Sequence, residues 1–204
     1  MSESRGIINN AENLCYRQRF IMKTMDKQGM NIHGYNKIVI FGASGAGKSY
    51  MSRRIAELTG CPVYHLDAVF YQHGWVTVSE DEFIVCQREM MSNRTWIIEG
   101  NYKKTMEFRF AAAELIIFLD VNRFTRILAA AWRQSKKRPD LPDLEKRSIF
   151  SKEFLNLVKM QWSHGNVTRN KVMELRGKYQ DKAFLHIKGR RSAKKLLIKW
   201  EAQG

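Results

Sequence analysis

The stretch Gly42-Ala43-Ser44-Gly45-Ala46-Gly47-Lys48-Ser49 limits what the chain can fold into more than any other. It follows the unbroken apolar run Ile38-Val39-Ile40-Phe41 and leads into Met51, Ile55 and Leu58, spaced as one face of a helix. A strand, a glycine-rich turn and a helix in that order make an anion cradle. Glycines let backbone N–H groups converge where side chains would block approach. The helix aims its free amides and positive dipole end at the same anion. In the spacing GxxxxGK[ST], the lysine reaches the β- and γ-phosphates of a nucleotide and the next hydroxyl ligates Mg²⁺. Gly42 to Ser49 is therefore the candidate loop for ATP, with Lys48 as its catalytic cation and Ser49 as a metal ligand.

The rest of the chain alternates. Apolar segments at Pro62–Leu66, Trp96–Ile98, Leu115–Leu119 and Ala183–Ile187 read as four further strands. Between them lie helical patterns. Ser79 to Glu82 is a capping box before Phe83, Cys86 and Met90. Others run through Phe124–Ala131, Phe150–Val158, Val172–Tyr179 and Leu196–Trp200. Strands that are apolar throughout and separated by helices indicate an α/β fold, its parallel sheet covered on both faces. Such sheets bind ligands outside the carboxyl ends of their strands. That edge collects the loop, Asp67, Glu99-Gly100-Asn101-Tyr102 and Asp120.

Three of these acids invite chemistry. Glu99 or Asp67, each read as ending a strand, can hold Mg²⁺ through water. The plainer alternative is a helix cap or an arginine partner. Asp67 opens Asp67-Ala68-Val69-Phe70-Tyr71-Gln72-His73-Gly74-Trp75, where aromatics and a glycine turn can line an acceptor pocket. There Asp67 is a candidate base or orienter for an acceptor hydroxyl. His65 reads as a core histidine before a catalyst, and Asp120 equally as a turn-forming residue.

Charge narrows the partners. The 204 residues carry a formal net charge of +15, and 44% of them are hydrophobic, as in a globular chain. Arg123 to Arg147 holds eight basic residues against three acids, and Lys188 to Lys199 six against none. The first segment contains two prolines and breaks the helical pattern. It reads as a lid over about 133–150 that brings Arg133 and Arg138 onto a transferring phosphoryl group, or as a solvated basic loop. The longest apolar run, Phe110–Val121, contains Glu114 and Asp120, so no membrane span is expected. Cys15, Cys61 and Cys86 are odd in number and lack a CxxC pair, which fits a reducing cytoplasm. Residues 1–36 are polar and weakly patterned, an N-terminal extension to a domain at 37–204, although Met30 is another possible start.

Taken together, "IVIFGASGAGKS", "HLDAVFYQHGW", "WIIEGNY", "ELIIFLDVNR" and the arginine-bearing stretch ending "RPDLP" resemble one family. It is that of the P-loop kinase-like DNA topology modulation proteins, related to adenylate and shikimate kinases. The resemblance covers roughly residues 37–190. It implies a P-loop NTPase of the nucleoside-monophosphate-kinase type, three layers α/β/α around a five-stranded parallel sheet in order 2-3-1-4-5, with a lid after strand four. It also gives Glu99 the metal-side role, and Gly100, Asn101 and Lys103 a place against substrate. Lys103 stands where arginine is usual, Tyr50 where threonine is, and Asn122 where proline is.

These readings lead to an ATP- and Mg²⁺-dependent phosphotransferase acting on a small molecule or nucleotide. The rival is a nucleic-acid-associated ATPase or nucleotide-gated regulator, motivated by the basic segments; no helix-turn-helix, zinc or RNP signature accompanies them. A GTPase switch is disfavoured because no NKxD motif occurs.

Overall fold

The structure, a computed structural model, describes residues 30–71, 77–122, 125 and 166–203. Strand β1 (Lys37–Gly42) leads into helix α1 (Lys48–Thr59). Strand β2 (Val63–His65) runs straight into the short helix α2 (Leu66–Phe70), which is followed by α3 (Glu80–Ser92). Then come β3 (Trp96–Glu99), α4 (Lys103–Ala112) and β4 (Leu115–Asp120). Residues 166–178 form helix α5, and β5 (Ala183–Lys188) and α6 (Arg190–Glu201) follow.

All five strands run parallel in the order β2-β3-β1-β4-β5. The central strands are buried on both faces, which is why β1, β3 and β4 are apolar without alternation. Odd and even positions serve different layers. Ile38 and Ile40 of β1 pack with Met51 and Ile55 of α1 and with Leu197 and Trp200 of α6. Val39 and Phe41 pack on the opposite side with Phe83 of α3, Met106 and Phe110 of α4, and Val172 and Leu175 of α5. The result is the three-layer α/β/α arrangement of nucleoside-monophosphate-kinase type. The first of these cores reaches back past Lys37, since Met30 and the fully buried Ile32 belong to it.

Local chemistry fixes the helix ends. Gly60 closes α1 in the left-handed region and donates its N–H to the Ala56 carbonyl. The capping box of α3 forms as its sequence implies, with Ser79 Oγ and the Glu82 carboxylate each meeting the other's backbone N–H. Such a cap stabilises a helix by about 1 kcal/mol. Some expectations need correction. The second strand ends at His65, so Asp67 sits in the first turn of α2 rather than at a strand end. On α3 Gln87 is buried with Phe83, Met90 packs half-buried against the same core as expected, and Cys86 is half-buried. Tyr179 lies just beyond the helix of Val172 and Leu175. The helices expected at 124–131 (Thr125 apart) and 150–158, the lid at 133–150 with Arg133 and Arg138, and Trp75 lie outside the described residues. No described helix is long and apolar enough to cross a membrane.

Candidate phosphate and metal site at the sheet edge

The loop after β1 turns tightly, with the Ala46 N–H donated to the Ala43 carbonyl and Ala46 itself packed into the core. Gly47 takes φ 98°, a left-handed conformation that costs most residues energy, and so opens α1 without a side chain in the way. The first helical hydrogen bond runs from Met51 N–H to the Gly47 carbonyl. The amides of the first turn therefore open toward the loop. From the far end of the sheet, Arg190 Nη2 donates to the Gly45 carbonyl at 2.7 Å, bracing the loop tip with the start of α6.

Glu99 faces this loop. Parallel pairing sets it beside Ile40 of β1 and His65 of β2, and it is only 5% exposed. Its Oε1 accepts the Ser49 hydroxyl at 2.7 Å and His65 Nδ1–H at 2.8 Å. A carboxylate only accepts, so the imidazole carries its proton on Nδ1. Burial favours the neutral acid, but the His65 hydrogen bond, the Lys48 charge and the Ser49 hydrogen bond outweigh it and hold the carboxyl below its ordinary value. Glu99 is thus ionised at neutral pH and coupled to both motif residues, Lys48 and Ser49. A hydroxyl that gives its hydrogen to a buried carboxylate turns its lone pairs outward. That set of hard oxygens, with phosphate and water completing the shell, fits Mg²⁺. Among the described residues no group of three or more His, Cys, Asp and Glu is placed to hold a metal by itself.

The corner after β3 is built with unusual care. Gly100 has φ 144°, and a Cβ there would lie 2.8 Å from the Leu66 Cβ. Asn101 Oδ1 accepts the Gly42 N–H at 3.3 Å, tying the corner to the start of the loop. Tyr102 has φ 22°, a strained backbone for a residue with a side chain. Beneath them Arg109 is wholly buried. Its Nη1 donates to the Gly100 carbonyl at 2.8 Å, and its Nη2 to the carbonyls of Asn101 at 2.9 Å and Tyr102 at 3.1 Å. Nε donates to the Thr105 carbonyl. Burial pushes its pKa down to about 9, so the group is still a cation at neutral pH.

The remaining candidates fall into two groups. Asp67 is exposed and accepts the Tyr102 hydroxyl at 3.0 Å, while its metal-side rival Glu99 holds Ser49. Burial and the Asp67 carboxylate raise the pKa of Tyr102, keeping it protonated. Lys103 is exposed at the start of α4. Asp120, the third edge acid, is bonded to His186 Nε2 at 2.9 Å and paired with Arg169 Nε at 3.3 Å, and its carbonyl accepts the Gly189 N–H. Arg109 escaped the sequence reading. The available signal is an arginine inside the apolar stripe Met106, Phe110 and Ala113, where a solvated charge has no place.

No family model matches the chain, and no curated protein matches it. Among solved structures, a shikimate kinase from Bacteroides thetaiotaomicron is similar at 17% identity and a TM-score of 0.49, covering 83% of this chain and 98% of that one. A gluconokinase from Sinorhizobium meliloti 1021 is similar at 15% identity and a TM-score of 0.46, covering 82% and 94%.

Proposed function

We propose that the chain is an ATP- and Mg²⁺-dependent phosphotransferase acting on a small molecule. The observation that carries the reading is the 2.7 Å hydrogen bond from Ser49 to the buried, ionised Glu99, at the mouth of a glycine-rich loop that opens a helix. Loop amides and Lys48 hold the phosphates. Ser49 and Glu99 would hold the metal, with His65 fixing the orientation of Glu99. When bound, Mg²⁺ neutralises charge on the β- and γ-phosphate oxygens. The acceptor's hydroxyl oxygen bonds to the γ-phosphorus as the bond to the leaving diphosphate breaks, and Asp67 takes the hydroxyl proton. Arg133 and Arg138, outside the described residues, are the proposed source of further charge on the transferring group.

Isothermal titration with ATP and Mg²⁺ tests this. The wild type is expected to bind and Lys48→Ala to bind at least about tenfold more weakly, the scale of losing one hydrogen bond to a charged group. No binding by the wild type, or equal binding by both, sinks the reading.

A second reading has one observation in its favour. Helix α6 begins with Arg190 on the loop carbonyl of Gly45 and continues with Arg191, Lys194 and Lys195 exposed. A polyanion on that face would sense the loop's occupancy, as in a nucleic-acid-associated ATPase. Gel shifts at two salt concentrations, with and without ATP, separate the two: the regulator requires a complex at low salt that weakens steeply with salt and responds to ATP.

A further inference from the structure

The first amide of the glycine-rich loop is already spent. The Gly42 N–H donates to Asn101 Oδ1 at 3.3 Å. A backbone N–H only donates, so the carboxamide of Asn101 turns its oxygen to the loop and its NH₂ the other way. That Nδ2 finds no acceptor among the described residues, and Asn101 is half-buried. The position follows from the sheet. Ile40 of β1 lies beside Glu99 of β3, and the pairing carried two residues further brings Gly42 beside Asn101. Two residues of chain span at most about 7 Å, so Asn101 stays close to the carboxylate that receives the Ser49 hydroxyl. The two side chains touch opposite ends of the loop, Asn101 at Gly42 and Glu99 at Ser49.

The carboxamide is held in advance. Its oxygen is fixed by Gly42, and its own backbone carbonyl accepts Arg109 Nη2 at 2.9 Å. The same guanidinium takes the carbonyls on either side, Gly100 at 2.8 Å and Tyr102 at 3.1 Å. The left-handed backbone of Tyr102 is strained, and strain retained at that cost marks a position where placement matters.

Charge gathers on the γ-phosphoryl oxygens during transfer, and donors fixed beforehand stabilise it most because nothing reorganises at that moment. An amide suits this place for a second reason. A lysine or arginine two residues from Glu99 would pair with its carboxylate, whereas a neutral amide leaves Glu99 to Ser49 and His65. We propose that Asn101 is a catalytic residue whose Nδ2–H donates to a γ-phosphoryl oxygen while Oδ1 keeps hold of Gly42. The spent Gly42 amide is thereby replaced as an anion donor by the NH₂ that it orients. The assignment rests on the phosphotransferase reading above and adds a contact on the nucleotide side of the site.

Calorimetric titration of the full chain with ATP and with ADP, each with Mg²⁺, tests it in two variants. Asn101→Asp keeps an oxygen for the Gly42 N–H and loses only the donor; Asn101→Ala loses both. ADP lacks the γ-phosphoryl group and serves as the control. Both variants should bind ATP at least about tenfold more weakly than the wild type, the scale of one hydrogen bond to a charged group. Both should bind ADP within about threefold of wild type, the loop being otherwise intact. Asn101→Asp should also unfold at the wild-type denaturant midpoint. Loss of ATP affinity in Asn101→Ala alone makes Asn101 a brace for the loop and overturns the assignment. Loss in Asn101→Asp alone traces the effect to the added charge, and equal losses for ATP and ADP put the amide away from the γ-phosphoryl group; either overturns it. So does wild-type ATP affinity in both variants, with the phosphotransferase reading left standing. Failure of the wild type to bind ATP overturns that reading itself and the role of Asn101 with it.

Discussion

Two acid–histidine pairs stand at the same edge of the sheet. Glu99 holds His65 at 2.8 Å, and Asp120 holds His186 at 2.9 Å. Each acid ends its strand, and each histidine comes from the neighbouring strand. The third partner separates them. Asp120 is neutralised by the Arg169 guanidinium, and its side chain is 27% exposed. Glu99 meets a hydroxyl, with Lys48 acting through space, and its side chain is 6% exposed. A carboxylate already matched by a guanidinium serves as a bracket between β4, β5 and α5. One held by hydrogen bonds beside an anion cradle keeps its charge for an incoming cation. The same two residue types thus yield a fastening in one place and a candidate metal support in the other.

The sharpest break in that symmetry is expected in turnover. Glu99→Gln should lower ATP consumption at least about 100-fold, equivalent to roughly 2.7 kcal/mol of barrier. Asp120→Asn should stay within about threefold in the same assay; equal losses would erase the distinction. Arg109 tests what positions the Glu99 corner. Arg109→Met leaves the carbonyls of Gly100, Asn101 and Tyr102 buried without their donor, and denaturant unfolding should show a loss of about 2–4 kcal/mol. Gly100→Ala adds a methyl against Leu66 on a left-handed backbone and should cost about 1–3 kcal/mol in the same experiment.

Acid gives a smaller contrast. The Glu99 carboxyl is depressed in the folded state, so its stabilisation is complete above the ordinary value of 4.5 and disappears as pH falls through the lowered one. The Tm gap between wild type and Glu99→Gln should be widest above about pH 5 and narrow steadily below it. A gap independent of pH would remove the assigned cause. The least effect belongs to Asp120→Asn at neutral pH, at most about 1 kcal/mol because its partner is half exposed, and less at high salt.

The sheet was readable because burial on both faces leaves Ile38–Phe41, Trp96–Ile98 and Leu115–Leu119 uninterrupted by polar residues. The first ends at Gly42 and the other two at their first acid, Glu99 and Asp120, and an edge rule brings Ser49 and Glu99 to one place. Leu66 misled the same logic. Its side chain reads as strand continuation, yet it fills the core beneath Gly100 as the first residue of a helix, which moves Asp67 round by a turn. The apolar stripe around Arg109 hinted at its burial, but its role was not legible there, since what makes a buried cation tolerable is a set of carbonyls assembled only when α4 folds back on the corner. His65 is intermediate: its strand position was plain, but its tie to Glu99 depends on the register between β2 and β3.

The indole of Trp200 donates to the Met30 carbonyl at 2.6 Å across 170 positions of chain, and both residues belong to the core on the α1 side of β1. On a growing polypeptide, Ile38, Ile40 and Ile55 are made long before the residue that seals them. That face of the sheet has α1 from early on, but the part that α6 covers must wait until position 200 has been synthesised, whereas the opposite face is complete once the helix carrying Val172 and Leu175 has been made. Long-range closure of this kind slows folding, and the interval is when such a chain is most exposed to self-association.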